Sequence, residues 1–336
     1  MSSDSAPSIL ATTAADSPAW RALTEGAAWF ERPQAGVLVL EDDDRVDFLQ
    51  RMTSADIKAL RPGQAAVTVL TSPTARVVHV FAVLCRADDL LLLPAPDDGA
   101  ALERHLRNQI FFMDKVRVRN VGDSWRRMRL TGPQAAQVAL AALGLQPAAT
   151  DGLWVEHAAI LAWADGRYEW PGLELLVPAE GEAVSEVARA LAAAGAVEVA
   201  DAALLEARRI ELGLPAVGAE LTGEVNPLEG GLGWACADNK GCYTGQEIIA
   251  RQITYDKVTR SLVGLRADLP LVAGVSLFAE GREVGVVTSA AHSPTLGCTI
   301  ALAIVRRSHT APGSRVTLQS ADGPAAEVVA LPHAEG

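Results

Sequence analysis

The chain has 336 residues, 49% hydrophobic and 21% charged, which fits a soluble globular protein of roughly two domains with a sizeable core. Its formal net charge of −12 argues against a broad basic surface for DNA or RNA, while leaving room for a local positive pocket that takes a small anion. No apolar run approaches the roughly 20 residues that span a bilayer, and the first 18 residues resemble neither a secretory signal nor a mitochondrial presequence. The expectation is a cytoplasmic protein with residues 1–19 as a disordered tail.

Gly36 to Leu40 reads as a strand, and Asp44 to Met52 has helical spacing, with Val46, Leu49 and Met52 on one face. Ala66–Thr71, Val77–Cys85 and Leu90–Leu93 are β-rich. Asp97 can cap a helix through about Gln109, and Lys115–Val121 returns as a strand. This order predicts an antiparallel α+β layer of ferredoxin-like type. Arg126–Leu130, Ala158–Ala164 and Leu173–Val177 are further strands. Helices are expected from Gly132 to Gly144, over Glu180–Ala194, and over Asp201–Leu212. Leu214–Gly233, rich in Gly, Pro and Asn, reads as a long ordered loop, and such loops commonly serve a function. From Thr259 onward, short β-type runs separated by turns predict an antiparallel barrel or sandwich.

Several motifs are missing. Neither nucleotide-binding glycine fingerprint is present, nor is a Gly-x-Ser-x-Gly elbow. Cys85, Cys236, Cys242 and Cys298 form no Cys-x-x-Cys, and the six histidines no His-x-x-x-His pair, so no metal site is expected. Cys85 and Cys298 sit in apolar runs and read as core. A Cys236–Cys242 disulfide fits the spacing but not a reducing cytosol.

The most informative stretch is Lys240-Gly241-Cys242-Tyr243-Thr244-Gly245-Gln246-Glu247. Thr244 and Glu247 have capping-box spacing ahead of an apolar run, which predicts a helix start. Cys242 then lies near free backbone N–H groups, with Lys240 as a neighbouring cation, and both favour the reactive thiolate. On spacing alone, a small structural cysteine is an equal reading.

This stretch, continuing to Ala250-Arg251, resembles the signature of the folate-binding YgfZ proteins, relatives of the glycine-cleavage T-protein, an aminomethyltransferase. Asp47-Phe48-Leu49-Gln50-Arg51, Leu130-Thr131-Gly132-Pro133-Gln134-Ala135 and Arg209-Ile210-Glu211-Leu212-Gly213-Leu214-Pro215 resemble other family segments. The likeness runs from about residue 25 to the end. It implies a three-lobed T-protein-like fold: ferredoxin-like α+β lobes over 20–255 and a C-terminal antiparallel β-barrel over 256–336. It also implies a tetrahydrofolate-type cofactor in a central channel. By motif, Glu174 falls on the glutamate that contacts the pterin and Arg209 on an arginine of the folate pocket. The T-protein's paired aspartates have no counterpart in Thr74-Ala75-Arg76-Val77-Val78-His79-Val80.

The resemblance thus implies a folate-binding accessory protein that supports iron–sulfur cluster assembly or repair. Its partners would be iron–sulfur assembly proteins or client enzymes, tRNA-modifying enzymes among them. Cys242 and Lys240 are the chemical residues, and Glu174 and Arg209 the cofactor-binding ones. The alternatives are a folate-dependent one-carbon transferase and a non-catalytic folate binder with a structural cysteine.

Overall fold

The computed structural model describes residues 15–333, apart from 34, 97, 147–151, 165 and 169. Most of the expected tail therefore lies outside the described residues, as does Asp97. Ser17 accepts a hydrogen bond from the Trp20 amide and Pro18 takes the first helical position, so α1 (Pro18–Thr24) begins inside the last two positions assigned to that tail.

Strand β1 (Ala28–Glu31) leads into β2 (Leu38–Glu41), α2 (Arg45–Met52), β3 (Ala65–Thr71), β4 (Val77–Cys85), β5 (Leu90–Pro94), α3 (Gly99–Asn108) and β6 (Arg117–Asn120). Strands β2–β6 form an antiparallel sheet in the order β3-β4-β5-β2-β6. Side-chain alternation sorts its residues onto two faces. Leu70, Phe81, Val83 and Leu92 pack under α2 and α3, against Phe48, Leu49, Leu102 and Leu106. Val67, Val69, Ala82 and Leu91 face the other way.

They meet a second sheet there. It is built from β1, β7 (Trp125–Thr131), β8 (Trp154–His157), β9 (Ile160–Trp163), β10 (Gly172–Pro178) and β11 (Val197–Glu198). Its order is β11-β1-β7-β10-β9-β8, antiparallel except where β11 joins β1. Leu161, Trp163 and Leu176 supply its share of the core between the sheets. Its outer face is covered by α4 (Ala135–Leu143) and α5 (Ala183–Ala193), through Val138, Ala139, Val187 and Leu191. The sequence reading missed β1, β8 and the two-residue β11. The β8–β9 hairpin turns on Ala158 and Ala159, both at positive φ (49° and 64°), with none of the Gly or Asn that normally announce such a turn.

Helix α6 (Ala202–Glu211) starts where the Asp201 side chain accepts from the Ala203 and Leu204 amides. The long loop and α7 (Gln246–Thr254) follow. Then β12 (Arg260–Ala267), β13 (Ser276–Ala279), β14 (Arg282–Ser293), β15 (Cys298–Arg306), β16 (Arg315–Leu318) and β17 (Ala325–Val329) close into an antiparallel barrel. The short, alanine-containing β17 was not expected. Small and branched side chains fill the barrel, among them Val263, Ala301, Ala303, Val316 and Val328. Ile210 of α6 packs on Ile300 and Leu302, which docks the barrel. The α+β lobes with a C-terminal barrel are those expected. Among the described residues, no helix is long and apolar enough to cross a membrane.

Candidate functional site

A cavity of about 460 Å³ opens where the lobes meet. Its lining includes Phe30 of β1 and Arg32 just after it, Tyr168 and Trp170 before β10, Arg209 of α6, and Leu214 at the start of the long loop. Phe30 and Trp170 pack edge to face, their ring centroids 5.4 Å apart. The wall is thus largely apolar and aromatic, with cationic side chains at selected points, as small-molecule sites usually are.

Glu174 stands behind this wall rather than on it. It is fully buried on the sheet face shared with Arg127 and Arg129 of β7, opposite Arg129 in the strand register. Arg32 donates to one carboxylate oxygen at 2.8 Å, Arg127 Nε donates to the other, and Arg129 approaches to 3.6 Å. Burial opposes ionisation, but Arg127, Arg32 and Arg129 override it and hold the carboxyl well below the usual carboxylate range. Glu174 thereby offsets part of the charge of three arginines and orients Arg32, one of the two arginines lining the cavity. Arg127 also donates to the carbonyls of Gly36 and Pro94, tying the two sheets together beside the cavity.

Arg209 does line the cavity, but its donors are committed to the protein. Nε and Nη2 bind Glu206 at 2.9 and 2.6 Å. Nη1 bonds Glu220 at 3.0 Å and the Leu214 carbonyl, and Nη2 reaches Ser289 Oγ of β14 at 2.6 Å. Burial opposes the charge, yet Glu206 and Glu220 more than restore it. All five N–H bonds of a guanidinium are accounted for. Glu211, two residues on, binds Arg208 at 2.8 Å and accepts from Ser293 Oγ of β14. Gly213 turns at φ +70°, and a Cβ there would lie 2.9 Å from Leu331. The Arg-x-Glu-x-Gly segment is therefore a joint between α6, the long loop and the barrel, with Arg209 as its cavity-facing member.

The cysteine motif lies on another part of the surface, against the β3–β4 turn and the end of α2. Cys242 is exposed, and all four cysteines are free thiols. Helix α7 begins at Gln246 with Gly245 as its N-cap, and no side chain caps it. The Thr244–Glu247 capping box does not form. Instead the Gln246 side chain accepts from the Tyr243 amide at 3.3 Å, and the Thr244 carbonyl accepts from Thr71 Oγ1. Gly245 adopts φ +82°, and a Cβ there would come within 2.7 Å of the Ser72 carbonyl, so glycine is required on both counts.

Lys240 does not present the free cation beside Cys242 that its position in the sequence suggested. It is 8% exposed, and its ammonium donates to the carbonyls of Gln50, Thr53 and Ala55 at the C-terminal end of α2. Burial pulls its pKa down to about 8, opposed by Asp56. Tyr243 packs its ring 5.1 Å from that ammonium and joins Cys236, Ala75 and Ile249 in a small apolar cluster. Burial pushes the Cys236 thiol up to about 11.

His79, in the segment where the aspartates were missing, is buried with Nδ1 2.7 Å from Asp98, its ring 5.3 Å from that of His105. Among the described residues, no group of three His, Cys, Asp or Glu side chains is arranged to hold a metal.

Comparison with known proteins fits this architecture. The GCVT N-terminal domain model matches residues 15–240, and the model of the glycine cleavage T-protein C-terminal barrel domain matches 260–334. The chain belongs to the glycine cleavage T-protein family. Among relatives of this T-protein-family chain is a chloroplastic Arabidopsis thaliana protein whose name calls it a transferase. It is 32% identical over 287 residues, covering 82% of this chain and 64% of the relative, so the chain spans just under two thirds of that protein. The aminomethyltransferase of Geobacillus kaustophilus is 30% identical, covering 86% of this chain and 82% of the enzyme. The mitochondrial aminomethyltransferase of Gallus gallus is 31% identical, covering 82% and 73%. In fold, the chain superposes on the crystal structure of glycine cleavage system aminomethyltransferase T from Bartonella henselae with a TM-score of 0.82, at 24% identity, covering 93% of this chain and 88% of that one.

Proposed function

We propose that this T-protein-family chain is a folate-binding accessory protein of YgfZ type, which supports iron–sulfur cluster assembly or repair in client enzymes through Cys242. The observation that carries this reading is the pairing of two separate features. One is an aromatic, cation-bearing cavity at the lobe junction. The other is an exposed cysteine held on a built loop elsewhere on the surface.

The cavity's size and lining suit a tetrahydrofolate, whose ring system would pack on Phe30, Tyr168 and Trp170. When bound, a tetrahydrofolate supplies or accepts one-carbon units at its ring nitrogens. Arg32, oriented by Glu174, brings positive charge to the cavity wall. Arg209 shapes the wall through its bonds to Glu220 and Ser289. The soft, accessible sulfur of Cys242 is the natural group to meet a client's cluster as cargo, with further ligands coming from the client. The net charge of −12 favours protein clients over direct contact with RNA.

The second reading is folate-dependent one-carbon transfer, favoured by the aminomethyltransferase relatives. It is opposed by the segment Thr74–Val80, which offers His79 bound to Asp98 where the T-protein carries paired aspartates. One experiment separates the two readings. A strain lacking this gene is complemented with wild type or Cys242→Ser, and iron–sulfur enzyme activities are measured alongside tetrahydrofolate binding by calorimetry. Loss of complementation with folate binding intact supports the accessory role. Full complementation by Cys242→Ser removes it.

A further inference from the structure

The residues on either side of Cys242 are tied down at two points that lie far away in sequence. On the N-terminal side, Lys240 Nζ is 2.7 Å from the Gln50 carbonyl, 2.7 Å from that of Ala55, and also bonded to that of Thr53. The chain leading to it is fastened to the same place, because Ala237 N donates to the Ser54 carbonyl at 2.9 Å and Ser54 Oγ to the Ala235 carbonyl at 2.7 Å. On the C-terminal side, Thr71 Oγ1 holds the Thr244 carbonyl, and Gly245 sits against Ser72 and Ala75. Between the two clamps only Gly241, Cys242 and Tyr243 remain. A side chain at Gly241 would point into open space, Tyr243 turns inward, and Cys242 is left exposed at the crest.

We propose that Lys240 is a positioning residue for Cys242. Its ammonium closes the carbonyl end of α2 and thereby sets the short bow that presents the thiol. The inference rests on Cys242 being the working thiol, and it gives Lys240 a different task from the through-space activation that adjacency in sequence suggests. An ammonium with three donors and three carbonyl acceptors has no N–H left for a thiolate. Its charge also meets the partial negative end of the α2 dipole, the favourable arrangement for a cation at a helix C-terminus. A carbonyl end left without that cation in a buried place loses its hydrogen-bond partner.

The test is Lys240→Met, which keeps the length and apolar stem and removes the ammonium. Two quantities are read on the full chain. One is amide hydrogen exchange at Ala237 and Tyr243, whose N–H groups bond the Ser54 carbonyl at 2.9 Å and the Gln246 side chain at 3.3 Å. The other is the pH profile of Cys242 labelling by iodoacetamide, followed by peptide mass spectrometry. Positioning predicts exchange faster by about tenfold or more, as expected when a local clamp opens, with the labelling profile at the same pH. A profile displaced to higher pH with unchanged exchange overturns the proposal in favour of direct activation. Unchanged exchange and unchanged profile also overturn it. If Lys240→Met does not fold, Lys240→Gln retains two N–H donors on a shorter stem and is judged by the same outcomes. Complementation by Cys242→Ser is scored separately. If that variant complements, the working-thiol reading fails, whereas the exchange result still decides whether Lys240 holds the bow.

Discussion

Arg209 Nη2 lies 2.6 Å from Ser289 Oγ, which in turn donates to Glu220 at 2.6 Å, so one side chain joins α6, the long loop and the barrel. Truncating it leaves Glu220, which is fully buried, with the Ser289 hydroxyl and the Ala216 amide but without its paired cation. Arg209→Ala is expected to cost about 3–5 kcal/mol, the range for removing one partner of a buried ion pair. Arg209→Lys should recover only part, since an ammonium lacks the planar fork. Urea denaturation measures both. A loss below about 0.5 kcal/mol, typical of surface substitutions, would show the joint to be incidental.

Glu174 makes a pH-dependent contribution whose sign follows from its environment. Its carboxyl ionises more readily folded than unfolded because Arg127, Arg32 and Arg129 outweigh the cost of burial. The stabilisation is fully present above the unfolded carboxylate pKa of about 4.3 and is lost as pH falls below it. The stability gap between wild type and Glu174→Gln should therefore be constant from pH 5 to 8 and narrow toward pH 3. A gap that widens on acidification contradicts the assignment.

The cavity reading predicts that tetrahydrofolate affinity depends on the aromatic wall. Trp170→Ala and Phe30→Ala should each weaken binding by about three- to tenfold, in line with roughly 0.5–1.5 kcal/mol for an aromatic contact. Cys242→Ser should leave it unchanged, since Cys242 is not among the cavity's lining residues. Calorimetry giving equal affinities for all four proteins would place the ligand elsewhere.

The thiols should separate by burial. Cys242 is exposed, whereas Cys85 and Cys236 are buried and burial raises both of their pKa values, that of Cys236 to about 11. At pH 8, alkylation of Cys242 should outpace that of either by tenfold or more, because only the thiolate reacts and access differs as well. Quantitative mass spectrometry of labelled peptides reads all the sites at once. Equal rates would leave Cys242 as a structural cysteine.

Glycine-cleavage turnover with the complete set of partner proteins should stay at background. The only titratable imidazole in the Thr74–Val80 segment, His79, is buried and bound to Asp98 at 2.7 Å. Turnover near that of an aminomethyltransferase would reverse this expectation and favour the one-carbon reading.

Local pattern was enough for much of this protein. The β-rich apolar run Val77–Cys85, the cap at Asp201 and the turn-separated runs after Thr259 each specify their element through local pattern, and all three appear in the structure. The same local logic failed where the conformation was imposed from outside. Ala158 and Ala159 accept positive φ because the β8–β9 pairing demands it, and Thr244 makes no cap, its backbone carbonyl being held by Thr71 instead. The sequence could also single out Lys240, Cys242, Glu174 and Arg209, because residue type and motif are written in it. It could not say what those charges touch. Lys240 meets Gln50 across 190 positions, Glu174 meets Arg32 across 142, and Arg209 meets Ser289 across 80. A buried charge must find a partner wherever packing brings one, because leaving it unpaired costs several kcal/mol. That choice belongs to the assembled lobes, and it bonded all three charges to protein groups far away in the chain.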